Sequence, residues 1–270
     1  MKPIFNLFLI FLVAVSIFIG CDTNLTSSDE NNTPITEISR DGNMNPDFWA
    51  ISGGISVTQM NGGSDCTIYK AVNNADLNGA IIVWGNGTMT SPSSYQEGLE
   101  HFASYGFFVI AANTGSAASG EAMGACITWL KSSSYESLLN FNMVGAAGHS
   151  QGGGGTIATG TGKYVPIAAT AAMLPYVRSM FGHNSEWNSQ QTSPMLLMGS
   201  TGDMFVRKSS NSDVVYADNN HYVFYAVVDG TGHFDVMGDF DVFRGIITAW
   251  FLYQLTGDTS SAPLFTGTSD

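Results

Sequence analysis

The chain predicts an α/β domain, with a central, mostly parallel sheet and helices on both faces. Three observations carry this. Short apolar runs, each closed by a glycine-rich or polar turn, alternate with segments of helical spacing, as strands and crossover helices do in a parallel sheet. At 270 residues and 44% hydrophobic content, the chain is long enough for one such domain with a sizeable core. Finally, Ser150, Asp203 and His233 each fall just after an apolar run. In open α/β sheets the carboxyl ends of strands are where sites are built.

The domain is preceded by a targeting segment. Lys2 is followed by a nearly unbroken apolar stretch from Ile4 to Ile19, so residues 1–21 read as a signal peptide. Its end, Phe18-Ile19-Gly20-Cys21, resembles a bacterial lipobox, with phenylalanine where leucine is usual. That resemblance implies lipidation of Cys21 and a membrane tether through it; simple secretion is the alternative. Residues 22–45 read as a disordered tether, because Asp22 to Pro34 is rich in Asn, Thr, Ser and acidic residues. Residues 46–258 read as the α/β domain and 259–270 as a loose C-terminal tail. No repeat or linker divides the chain further.

Composition narrows the setting. Only 11% of residues are charged, so Ser, Thr, Asn, Gln and Gly must cover much of the surface, as expected outside the cytoplasm. The net charge of -13 disfavours nucleic acid and other polyanions as partners, since phosphate binding needs clustered Lys and Arg. With Cys21 set apart, Cys66 and Cys126 remain to form a disulfide in an oxidising compartment; two buried thiols are the alternative.

Taken in order, Ile51 to Met60 and Cys66 to Ala71 alternate as antiparallel strands around the turn signal Asn61-Gly62-Gly63. Gly79 to Trp84 is a buried strand ended by Gly85-Asn86-Gly87-Thr88. Ser94 to Ser104 has helical spacing, with Leu99, Phe102 and Ala103 on one side, and Tyr105-Gly106 stops it. Phe107 to Ala112 is a strand and Ala117 to Leu130 a helix carrying Cys126. The apolar run Met143 to Ala147 leads into Gly148-His149-Ser150-Gln151-Gly152 and then a helix. Val165 to Met173 is a short strand running into Leu174-Pro175-Tyr176, and a polar stretch, Arg178 to Ser193, contains Trp187. Met195 to Met198 is a strand ended by Gly199-Ser200-Thr201-Gly202-Asp203, with helical spacing from Val206 to Tyr216. Tyr222 to Val228 is the last strand, ended by Asp229-Gly230-Thr231-Gly232-His233. Phe240 to Leu255 closes the domain as an amphipathic helix stopped by Gly257.

The segment around Ser150 matches the G-x-S-x-G nucleophile elbow, a sharp strand-to-helix turn with small flanking residues. The bare pattern arises easily in a glycine-rich chain, and its place at a strand-to-helix junction is what singles it out. A serine hydroxyl is a weak nucleophile that needs a base, and the base needs an orienting acid. His233 and Asp203 supply these, in the chain order Ser, Asp, His of α/β-hydrolases; Asp229 is the lesser candidate acid. Oxyanion donors are expected at the backbone N–H of Gln151 and, from the loop after the Trp84 strand, at that of Thr88. His149 is expected to pack behind the elbow. No histidine pair has a metal-ligand spacing, and Asp235, Asp239 and Asp241 read as a solvated helix start, so neither a metal nor another cofactor is invoked.

With these residues in place, the chain resembles the bacterial cutinases and polyester hydrolases, including those acting on poly(ethylene terephthalate). The resemblance runs from about Gly54 to the closing helix. It is strongest over Gly148-His149-Ser150-Gln151-Gly152-Gly153-Gly154-Gly155 and Phe102-Ala103-Ser104-Tyr105-Gly106-Phe107-Phe108-Val109-Ile110. Gln151 stands where the family usually has methionine, and Thr88 where it usually has an aromatic oxyanion-loop residue. Tyr176 matches a tryptophan that stacks on aromatic substrates. The resemblance implies an α/β-hydrolase fold and a serine esterase acting on ester or polyester substrates in an open groove. The stretch after Tyr176 is short and polar, so no large lid is expected, and the chain is expected to be a monomer. Tyr176 and Trp187 are the expected groove-lining residues. A carbohydrate esterase, a lipase and a non-catalytic binding lipoprotein are the alternatives.

Overall fold

The computed structural model describes residues 45–266. The expected signal peptide, Cys21 and all of the tether except Asn45 lie outside the described residues, as do 267–270. Among the described residues no helix is long and apolar enough to cross a membrane.

Eight strands form one sheet: β1 (Val57–Asn61), β2 (Cys66–Ala71), β3 (Ile81–Gly85), β4 (Phe108–Ala112), β5 (Val144–His149), β6 (Ala169–Met173), β7 (Met195–Ser200) and β8 (Val223–Val228). Their spatial order is β1-β2-β4-β3-β5-β6-β7-β8. β2 runs antiparallel to both neighbours, and every other pairing is parallel. The hairpin joining β1 to β2 turns at Gly62, whose N–H reaches the Cys66 carbonyl at 2.8 Å.

Burial follows strand position. β3 to β7 are buried along their whole length, as strands covered on both faces must be. The edge strands β1 and β8 remain partly accessible. Along β3, Ile82 and Trp84 face one core while Ile81 and Val83 face the other, the two-residue period of a strand. The first core is covered by α1 (Gln96–Ser104) and α5 (Arg244–Phe251). The opposite face carries α2 (Glu121–Leu130), α3 (Gln151–Gly160) and α4 (Ser212–Asp218). The fold is therefore α/β with an eight-stranded, mostly parallel sheet between two helical layers.

Cys66 and Cys126 are joined by a disulfide that ties the start of β2 to α2. Closing a loop of 60 residues removes unfolded-state entropy worth about 4 kcal/mol.

Several expectations are corrected. The first strand begins at Val57, not Ile51, and β6 begins at Ala169, not Val165. The helix read from Ala117 starts at Glu121, because Gly120 enters it with a left-handed φ of 74°. Of Val206 to Tyr216, only the part from Ser212 onward is α-helical, extending to Asp218. The expected loose tail is instead packed as far as Thr266. It forms α6 (Pro263–Thr266), and Phe265 is buried against Trp250 at 5.0 Å and Phe224 at 5.2 Å. An apolar side chain beside an uncovered patch of aromatic core is drawn onto it.

Candidate active site

The sharpest local feature is the junction of β5 and α3. Ser150 lies between them at φ 55°, ψ -117°, a conformation costly for a residue with a side chain. The neighbourhood sustains it. The Ser150 N–H donates to the Met173 carbonyl at 3.0 Å, and its own carbonyl accepts from Tyr176 at 2.8 Å and Gly154 at 3.0 Å. The turn closes only because its flanks lack side chains: a Cβ on Gly148 would strike the Gly152 carbonyl, and one on Gly152 would strike that of Gly85.

The loops after β7 and β8 bring two further residues to this point. Ser150 Oγ lies 2.9 Å from His233 Nε2, and His233 Nδ1 lies 2.6 Å from Asp203 Oδ2. All three side chains are buried. The two loops are tied together by the Ser200 hydroxyl, which donates to the Thr231 carbonyl at 2.6 Å, and by Gly202 lying against Gly230.

Proton placement follows from the carboxylate. Burial pushes the Asp203 carboxyl up, but the hydrogen bond and charge of His233, with the N–H groups of Val206 and Phe205, outweigh it and leave its pKa below the ordinary value. Those N–H groups donate to Oδ1 at 2.7 and 2.9 Å, which leaves Oδ2 for His233. An ionised carboxylate only accepts, so Nδ1 carries the proton and Nε2 offers its lone pair to the Ser150 hydroxyl. Asp229 does not compete, being exposed and accepting from the Thr201 hydroxyl at 2.8 Å.

The loop after β3 reaches the same place. A Cβ on Gly87 would lie 3.5 Å from Ser150 Cβ, so the backbone leading into Thr88 runs beside the serine. Neither the Thr88 N–H nor that of Gln151, at the start of α3, is hydrogen-bonded within the described protein. The Gln151 side chain is buried, and its Oε1 has no partner.

His149 packs behind the elbow, as expected. Its Nδ1 meets the Tyr95 hydroxyl at 2.9 Å and its ring lies 4.6 Å from that of His233. Burial, then the neighbouring His233, pushes its pKa down to about 3, with Asp203 and the His233 carbonyl pulling weakly the other way.

The two expected groove residues part company. Tyr176 stands half-buried beside Ser150, its ring 5.1 Å from Phe181. Trp187 does not line the site. Its indole packs with Ile157, Val177, Met195 and Val215, edge-on to His183. Lys163, past the far end of α3 from Ser150, lies 5.9 Å over its ring. The reason is local: Gln191 Nε2 donates to the carbonyls of Ile157 and Trp187, both at 2.8 Å, folding the segment back onto α3.

Sequence reasoning missed the rim. Exposed apolar side chains lie next to site residues: in the chain, Met89 follows Thr88, Met204 and Phe205 follow Asp203, and Phe234 follows His233, while Met180 and Phe181 lie against Tyr176 in space. Phe205 and Phe234 touch edge to face at 4.8 Å. Isolated apolar residues in turns carry no signal of a shared rim until the loops are placed. No protein-family model matches the chain, and no curated protein matches it.

Proposed function

We propose that the protein is a serine hydrolase of carboxylic esters, built on the α/β-hydrolase fold and working through an acyl-enzyme. The observation that carries this is the continuous chain from Ser150 through His233 to Asp203, ending on a serine held in a strained strand-to-helix turn. The placement of the parts supports the fold assignment: nucleophile after β5, acid after β7, histidine after β8, and free N–H groups after β3 and at the start of α3.

In this reading Ser150 Oγ attacks the ester carbonyl while His233 Nε2 takes its proton. The N–H groups of Thr88 and Gln151 hold the oxyanion, each worth about 3 kcal/mol to the transition state. Asp203 keeps the imidazole oriented and stabilises its cation. The imidazolium then protonates the departing alcohol. Water, deprotonated by His233, releases the acid and restores Ser150. Among ester classes, the apolar rim supports an extended, weakly polar substrate, hence the cutinase and polyester hydrolase reading over a carbohydrate ester. The disulfide supports work outside the cytoplasm.

The test compares the protein with its Ser150→Ala variant on a short soluble chromogenic ester and on an aliphatic polyester suspension, following acid release. Hydrolysis that disappears in the variant, at unchanged thermal unfolding, is the expected result. Full activity without Ser150 would remove the assignment. Cleavage of the soluble ester alone would keep the ester hydrolase and remove the polyester reading.

A further inference from the structure

Behind the candidate site lies a buried hydroxyl that the ester-hydrolysis mechanism does not use. The Tyr95 ring is fully buried, 5.1 Å from Trp84 and edge-on to His149 at 5.7 Å. Its Oη accepts from the Gly87 N–H at 3.1 Å and meets His149 Nδ1 at 2.9 Å and the Thr90 hydroxyl at 3.3 Å. The protons can be assigned. Gly87 N–H only donates. The single Thr90 hydroxyl proton goes to the closer acceptor, the Gly87 carbonyl at 2.8 Å. The Tyr95 proton is then directed to His149 Nδ1, the shorter of its two remaining contacts. Burial pushes the Tyr95 hydroxyl up and outweighs the opposite pull of the neighbouring Thr90 hydroxyl and Gly87 N–H, so the proton stays in place.

One oxygen therefore bridges two pieces of the site. On one side is Gly87, whose neighbour Thr88 offers the oxyanion donor. On the other is His149, whose neighbour is Ser150. The outer edge of the same loop is already fixed. Asn86 Nδ2 donates to the carbonyls of Ala112 at 2.6 Å and Thr114 at 3.0 Å, and the Met89 N–H donates to the Gly115 carbonyl at 3.3 Å. Those bonds hold the loop to the end of β4. Through side chains, the Tyr95 bridge holds it to the elbow.

We propose that Tyr95 is a positioning residue: by bridging the Gly87 N–H and His149 Nδ1 it sets the distance between the Thr88 N–H and Ser150 Oγ. The inference rests on the ester-hydrolase reading of this site. Because an oxyanion donor acts on the tetrahedral species more than on bound ester, loosening the loop should lower kcat and leave KM nearly alone.

The experiment compares the protein with Tyr95→Phe, which removes one oxygen and keeps the packed ring. Steady-state kinetics on a soluble ester are read beside the affinity for an alkyl boronic acid, which forms a tetrahedral adduct on an active serine. The expected result is a fall in kcat of about 10- to 100-fold, short of the 10²–10³ that loss of a whole donor costs, with KM changed less than about twofold. Boronate affinity should weaken by about the same factor as kcat/KM. Should Tyr95→Phe not fold, His149→Leu and His149→Gln replace it, and Leu, which cannot accept from Tyr95, should cost more kcat than Gln. An active wild type whose variants keep kcat and boronate affinity, or lose only KM, overturns the proposal alone. A wild type inert toward both ester and boronate overturns the ester-hydrolase reading, and the proposal with it.

Discussion

Lowering the pH from 7 to 5 should cost about 2 kcal/mol of folding stability through one imidazole, His149. The ring is fully buried beside His233, and its pKa falls from 6.5 to about 3, through burial first and the neighbouring histidine second. In the unfolded chain the same ring takes a proton near 6.5. Between these values the unfolded state binds more protons than the folded one, so stability falls as the pH falls. Above 6.5 both states are neutral and nothing is lost. From 6.5 to 5 the loss is 1.5 pH units at about 1.36 kcal/mol each, or about 2 kcal/mol, and it continues to grow until the folded ring protonates near 3. Asp203 acts in a lower window. Its depressed value contributes stability that is present above the ordinary carboxylate range and lost only as the pH drops toward the folded value. His101 and His183, also held down chiefly by burial, titrate in the same direction. The assay must therefore be a difference. Urea unfolding at pH 7, 6 and 5 is compared between the protein and His149→Gln, where the other histidines cancel. The wild type should lose about 2 kcal/mol more than the variant between pH 7 and 5. Equal losses would show that the ring is not held neutral as its burial requires.

Two further outcomes follow from the geometry. Asp203→Asn should keep the fold and lower kcat by about 10⁴, because an amide can leave His233 in the wrong tautomer; activity within tenfold of the wild type on a soluble ester would count against Asp203 as the orienting acid. Phe265→Ala should destabilise the protein by about 3–5 kcal/mol in urea titration, since it empties a buried site against Trp250 and Phe224, whereas a cost below about 0.5 kcal/mol would mean that α6 does not pack there.

The central strands and the three residues of the proposed triad could be read from sequence for one reason. β3, β4, β5 and β7 are buried on both faces and are apolar along most of their length, and the end of each is marked by glycine or a polar residue. Residues that follow such a strand can be placed at one end of the sheet before any contact is known. Features that depend on how segments fold back were hidden. Trp187 and Tyr176 look alike as aromatics in a polar stretch, and the separation comes from Gln191 and the α3 carbonyl it finds. The tail offers only Leu264 and Phe265 as apolar anchors, and the surface they cover is made by Trp250, Tyr253 and Phe224, distant in the chain. Tyr95 sat inside a predicted helix start, where nothing marks a hydroxyl as a bridge rather than a packed ring. The helical spacing from Val206 overran because Asn211, at φ -135° and ψ -88°, breaks the regular backbone before α4.

Ser150 and His233 are 83 residues apart and meet through a single hydrogen bond. Until β7 and β8 have docked onto β6, neither Asp203 nor His233 has a fixed position, however complete the turn at Ser150 is. Long-range pairings of this kind carry the entropy of closing the chain between them and form late. Recovery of the Ser150–His233 contact after dilution from denaturant therefore marks the completion of the sheet's final edge, whereas helical signal reports on segments that assemble earlier.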